Sequence, residues 1–181
     1  MKSLTALTII FVLSQQLISA QEIQTDETIG AYIQETISIT QTSQKEIYKR
    51  LKSCVLNELE LSEHLTLDTE SKIKVKLSIE NPEPTWVFPH EVTSFEFVID
   101  IKDNKYRITM LEVLFVYDGS KLYDPQAFTL QDCMNNLYNE EGEINGFFNR
   151  LINLAKNGYK VFVTDGFNRC AKNQTALTDD W

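Results

Sequence analysis

The stretch from Phe95 to Met110 constrains this chain more than any other. Phe95, Phe97, Ile99 and Ile101 alternate with Glu96, Val98 and Asp100, and Tyr106, Ile108 and Met110 alternate with Arg107 and Thr109. Between the two runs lies Lys102-Asp103-Asn104-Lys105. A two-residue loop at Asp103-Asn104 pairs Ile101 with Tyr106, Ile99 with Ile108 and Phe97 with Met110. Every pair is then apolar on one face, so hairpin register and pattern agree. Asn tolerates the left-handed conformation that such a turn demands. After Met110 the phase flips, and Leu111, Val113 and Phe115 alternate with Glu112 and Leu114. A bulge near Met110-Leu111, or a bend into a new strand, would produce that flip.

Two more strands precede this hairpin in the chain. Ile73, Val75, Leu77 and Ile79 alternate with Lys72, Lys74, Lys76 and Ser78, a strand with one wet face. Ile33 to Thr40 reads as another, with Ile33, Ile37 and Ile39 on one face and Glu35 interrupting it. Opposite charges at Lys72, Lys74, Lys76, Arg107, Glu96 and Asp100 are placed to pair across the polar sheet face.

Three amphipathic helices are expected to cover the apolar face. Ser43-Gln44-Lys45-Glu46 has capping-box form. Behind it Ile47, Tyr48, Leu51, Cys54, Val55 and Leu59 fall within about 140° of a helical wheel. Thr129 can cap a helix bearing Leu130, Met134 and Leu137, and Ile144, Phe147, Phe148, Leu151, Ile152 and Ala155 form a strong helical stripe. Asn157-Gly158 is the expected stop, with Tyr159 to Val163 as a short extra strand. The predicted class is α+β: a two-layer sandwich, an antiparallel sheet with helices on one face. Its divisions are a signal peptide (1–20), a flexible lead-in (21–30), one domain (31–163, with its core at 31–116 and its C-terminal helices at 128–157) and a tail (164–181).

The N-terminus carries the compartment signal. Lys2 precedes a mostly apolar stretch from Leu4 to Leu13, and Ile18-Ser19-Ala20 ends in a small residue before Gln21. This predicts export to the periplasm or the exterior. No cysteine lies at the cleavage point, so no lipid anchor is expected, and after signal removal no apolar run is long enough for a membrane span. Lys and Arg number 17 against 26 Asp and Glu, a net charge of −9. Such acidity argues against nucleic-acid binding, which needs a basic face.

Three cysteines cannot all pair within one chain. Cys54 sits on a predicted apolar helix face, as a small hydrophobe would. An oxidising compartment would permit a bridge from Cys133 to Cys170. No Cys or His spacing suggests a metal, and no glycine-rich phosphate loop suggests a cofactor. A nucleophilic hydrolase would need His64 or His90 beside a Cys or Ser, and no Gly-x-Ser-x-Gly elbow exists. Glu140, Glu141 and Glu143 read as a solvated acidic helix start. Trp86, Phe88 and Pro89 cluster beside His90 in a loop opened by Asn81-Pro82-Glu83-Pro84. Trp86, Phe88 and His90 are candidate partner contacts, or the aromatics cap the open end of the core.

Glu35-Thr36-Ile37-Ser38-Ile39 followed by Ser43-Gln44-Lys45-Glu46-Ile47-Tyr48 resembles a domain family of unknown function, frequent in exported proteins of Bacteroidetes. That family has a TATA-binding-protein-like (TBP-like) fold. Lys102-Asp103-Asn104-Lys105-Tyr106-Arg107-Ile108-Thr109 is similar to the family's Lys-Asp-Gly-Arg-Tyr-Arg hairpin. The likeness covers roughly 31–116. Lys45 falls one place later than in the family pattern, and Cys54-Val55 stand where the family has an aromatic residue. The resemblance implies a topology and brings no catalytic residues. The expectation is a non-enzymatic envelope module that binds a protein or small ligand, with a small-ligand or lipid carrier as the alternative and an uncharacterised hydrolase ranked below both.

Overall fold

The computed structural model describes residues 22–59, 61–80, 91–117 and 124–172. The Phe95–Met110 pattern lies in β5 (Glu91–Lys102) and β6 (Lys105–Tyr117), the long central hairpin. Its register pairs Ile101 with Tyr106, Ile99 with Ile108 and Phe97 with Met110. All six side chains are buried. Of the two turn residues only Asn104 takes a positive φ, 62°.

The phase flip is a bulge within one continuous strand. Ser94 pairs with Leu114 but Glu96 with Leu111, leaving Glu112 and Val113 without register partners on β5. Glu112 absorbs the extra residue at φ 50°. Inward-facing residues accordingly change from Tyr106, Ile108 and Met110 to Val113, Phe115 and Tyr117.

The remaining strands are β1 (Ile23–Asp26), β2 (Gly30–Ser38), β3 (Leu65–Thr69), β4 (Lys72–Glu80) and β7 (Gln126–Thr129). The antiparallel sheet runs β1-β2-β6-β5-β4-β3, and β7 also pairs with β6. β6 therefore has two partners on one side: β2 opposite Lys105–Met110 and β7 opposite Leu114–Tyr117. On the polar face Lys72 and Arg107 reach Asp100 at 3.1 and 2.8 Å, and Lys74 reaches Glu96 at 3.4 Å. This is the charge pairing expected from the sequence.

The other face carries the helices. Ser43 Oγ accepts from Glu46 N at 3.3 Å to start α1 (Gln44–Ser53). The expected box is only half made, because the Glu46 carboxylate takes Arg50 instead, at 2.9 Å. Ile47 and Leu51 are buried, as are Cys54 and Val55 in the π-helical Cys54–Glu58 that follows. The full capping box belongs to Thr129 and Asp132, at the start of α2 (Leu130–Asn135). α3 (Gly146–Tyr159) is capped by Asn145 and buries Leu151, Ile152, Ala155 and Tyr159.

Three expectations fail. Ile23–Asp26 is not lead-in but an edge strand paired with β2. A single apolar residue in four hides it, and backbone pairing supplies what the side chains do not. The helix does not stop at Gly158. A π-helical stretch, Lys160–Phe167, and α4 (Asn168–Lys172) replace both the extra strand and the first part of the tail. Tyr159, Val163, Phe167 and Ala171, four residues apart, are all buried. Alternation of Tyr159, Val161 and Val163 imitates a strand, but Val161 is exposed. Gly158 does not take a positive φ, so it gives no left-handed stop and the helix runs through it. Finally, Cys54 is disulfide-bonded rather than a free hydrophobe, and Cys133 is free and buried, so it forms no bridge to Cys170.

Two phenols lie in the packed layer. Tyr106 Oη donates to Asn168 Oδ1 at 2.8 Å. Tyr159 Oη is buried with no hydrogen-bond partner among the described residues. Burial, and secondarily the Glu35 charge, raises both phenol pKa values. The half-buried Glu35 thus interrupts the apolar β2 stripe close to two hydroxyls.

Candidate functional site

The sheet opens where β6 changes partner. β2 leaves β6 after the Ile33–Met110 pair and β7 joins at Thr129–Leu114. Residues Leu111–Val113, which include the bulge, face the gap between them. Gly30, at φ 76°, closes the β1–β2 turn on one wall of that gap. Asp26 Oδ1 holds that turn by accepting from Thr28 N at 2.8 Å and Ile29 N at 3.2 Å.

A cavity of about 510 Å³ occupies the gap. Its apolar lining includes Ala31, Val113, Leu114 and Leu130, with the exposed Ile29 also contributing. Thr28, Lys76, Ser94, Glu112, Thr129 and Gln131 supply the polar groups. Two of these are engaged elsewhere. Thr129 Oγ1 donates to Asp132 Oδ2 at 2.7 Å, and Gln131 Nε2 donates to Asn135 Oδ1 at 2.9 Å. Lys76 and Glu112 form a loose pair, Nζ to Oε2 3.9 Å, with side chains 57% and 68% exposed. Such a pair holds neither group firmly. The Ser94 and Thr28 side-chain hydroxyls make no hydrogen bond among the described residues. The site therefore presents one cation, one carboxylate, two hydroxyls and a bulged backbone over an apolar floor. That is equipment for binding a small polar molecule.

The residues singled out in the sequence fall elsewhere. Trp86, Phe88 and His90 lie outside the described residues, as does the 1–20 signal. β4 and β5, which flank residues 81–90 in the chain, are paired at Glu80–Val92, close to Ser94. His64 is exposed on a single 3₁₀ turn, with no side-chain hydrogen bond to Cys or Ser among the described residues. Burial, then the Asp132 charge, pushes the Cys133 thiol up to about 12, which leaves it protonated. Glu140, Glu141 and Glu143 are exposed on a hairpin-like loop, not a helix start. Asn139 closes the loop by accepting from Glu143 N at 2.8 Å, and Tyr138 bridges to Ile144. Among the described residues no group of three or more His, Cys, Asp or Glu could hold a metal ion. No described helix is long and apolar enough to cross a membrane.

Lys76, Ser94, Glu112 and Thr28 were not candidates from the sequence. The phase flip after Met110 marked the bulge, but β7 carried no signal, and without β7 the gap has no second wall.

The seven-stranded antiparallel sheet with helices on one face defines a TBP-like α+β fold. Two solved structures share it. A TBP-like protein from Parabacteroides distasonis ATCC 8503 superposes with TM-score 0.60 at 16% identity, over 78% of this chain and 92% of that one. A DUF4468 family protein from Bacteroides ovatus ATCC 8483 superposes with TM-score 0.59 at 10% identity, over 89% and 95%. At these identities the shared property is the fold. No protein-family model and no curated protein matches the sequence.

Proposed function

We propose that this chain is an exported, non-enzymatic binding module of the cell envelope, and that the cavity at the sheet opening is its ligand site. The observation that carries the reading is the change of partner along β6. It leaves a bulged, unladdered stretch facing a roughly 510 Å³ cavity whose Lys76, Glu112, Ser94 and Thr28 have no firm partner. Bulges commonly re-aim side chains beside functional sites. The mixed lining favours a polar small molecule over an acyl chain. Export is supported by the Lys2–Ala20 pattern and by the disulfide at Cys54, a bond that persists in oxidising compartments. Trp86, Phe88 and His90 remain the proposed contacts for a macromolecular partner.

Native mass spectrometry of the protein purified from its own envelope tests this reading. The expected chain begins at Gln21 and carries a reproducible small adduct that Ser94→Trp, which fills the cavity, abolishes. A chain retaining residues 1–20 would overturn export. Bare protein, together with no cavity-directed shifts in an NMR fragment screen, would overturn the binding role.

A further inference from the structure

The arrangement of charges around the cavity specifies more than polarity. Lys76 and Glu112 are its two ionic groups, and they stand 3.9 Å apart across the lining. A ligand bearing only an anion or only a cation would satisfy one and leave the other without its partner. A ligand bearing both exchanges one long ion pair for two short ones. Beside Glu112 lies a stretch of β6 that neither β2 nor β7 pairs, since pairing with β2 ends at Met110 and pairing with β7 begins at Leu114. Glu112 and Val113 have no register partner on β5, on β2 or on β7. Peptide groups of this kind favour a ligand that brings amide N–H and C=O of its own. The free hydroxyl of Ser94 and the apolar Ala31 and Leu114 complete a place for a short backbone with small side chains.

We propose that the cavity binds a dipeptide-sized zwitterion, with its carboxylate on Lys76, its ammonium on Glu112 and its amide against Glu112-Val113. This rests on the cavity being the binding site. The strained backbone of Glu112, at φ 50°, fits the role: it sets a carboxylate at the opening where regular β6 would place an ordinary pleated residue.

Amide chemical-shift titration of the full exported chain with L-alanyl-L-alanine tests the proposal. Saturable shifts are expected at Gly30, Ser94, Glu112, Val113 and Thr129. N-acetyl-alanyl-alanine amide, which lacks both charges, should bind about tenfold more weakly, with up to about fivefold lost for each end blocked singly. Lys76→Met and Glu112→Gln should each weaken the zwitterion while leaving the blocked peptide unchanged. Both side chains are exposed, so both variants retain the fold, which an unchanged melting temperature verifies. Equal binding of blocked and zwitterionic peptides in the cavity would overturn the proposal and leave the binding module standing. Binding of free alanine as tightly as the dipeptide would overturn the amide contact. If neither peptide nor any fragment shifts these residues, the proposal and the reading beneath it both fall.

Discussion

Tyr159 and Tyr106 differ in one respect that stability measurements can isolate. Both are fully buried and both lie near the Glu35 charge. Tyr106 Oη has Asn168 Oδ1 at 2.8 Å, while Tyr159 Oη has no partner among the described residues. Removing either hydroxyl leaves the ring and its packing in place. For Tyr106→Phe the loss is one hydrogen bond plus a stranded, buried Asn168 acceptor, a destabilisation of about 1–2 kcal/mol. For Tyr159→Phe nothing is broken and a desolvated hydroxyl is relieved, a stabilisation of about 1 kcal/mol. The two variants should therefore move in opposite directions and differ by about 2–3 kcal/mol. With a urea m-value of about 2 kcal/mol/M, their midpoints separate by more than about 1 M. Far-UV circular dichroism in urea reads this directly. Destabilisation of Tyr159→Phe by more than about 1 kcal/mol would refute the reasoning, because it would mean that the hydroxyl has a partner, such as a water bridging to Glu35.

Further outcomes follow from other parts of the fold. Asn104→Gly should destabilise by about 1 kcal/mol in thermal unfolding, although glycine suits φ 62°. Asn104 Oδ1 accepts from Thr42 N at 3.0 Å and clasps the segment that leads into α1. In the folded protein at pH 8, Cys133 should resist Ellman's reagent, its thiol being held near 12, and non-reducing peptide mapping should recover Cys54 in a linked peptide. Burial opposes ionisation of Asp100, but hydrogen bonds from Arg107 and Lys72 outweigh it and hold the carboxyl below its ordinary 3.8. The native state then binds fewer protons than the unfolded state in that range. The stabilisation, about 1 kcal/mol, is complete above pH about 4 and is lost as pH falls through the lowered pKa. Asp100→Asn should flatten the acid limb of the stability curve, and an unchanged limb would contradict the assignment.

Where hydrophobic alternation and local turn chemistry coincide, the structure was legible in the sequence. The β5–β6 register, the wet lysine face of β4, the Ser43 and Thr129 caps and the buried stripe of α3 all follow from period and capping alone. β1, β3 and β7 were not legible. Ile23-Gln-Thr-Asp and Gln-Ala-Phe-Thr offer one or two apolar side chains each, and Leu67 of β3 is partly exposed. Continuation past Gly158 was hidden because glycine is a helix stop only when the backbone turns left-handed. Here its φ is not positive, and the helix continues. The candidate site was half legible: the phase flip announced the bulge at Glu112, but its surroundings depend on β7 and on the Gly30 turn, which come from distant parts of the chain.

The central position of the β5–β6 hairpin also bears on how the chain reaches this state. Closing a two-residue loop costs little entropy, and the strands it joins are the most apolar in the molecule. A nucleus formed there would present two open flanks, to which β2 and β4 add, and only then β1, β3 and β7. The order of assembly is then the order of legibility. Strands with a strong side-chain pattern can persist before the sheet exists, whereas those without one form late, on a template, and should be the first to exchange their amide hydrogens from the native state.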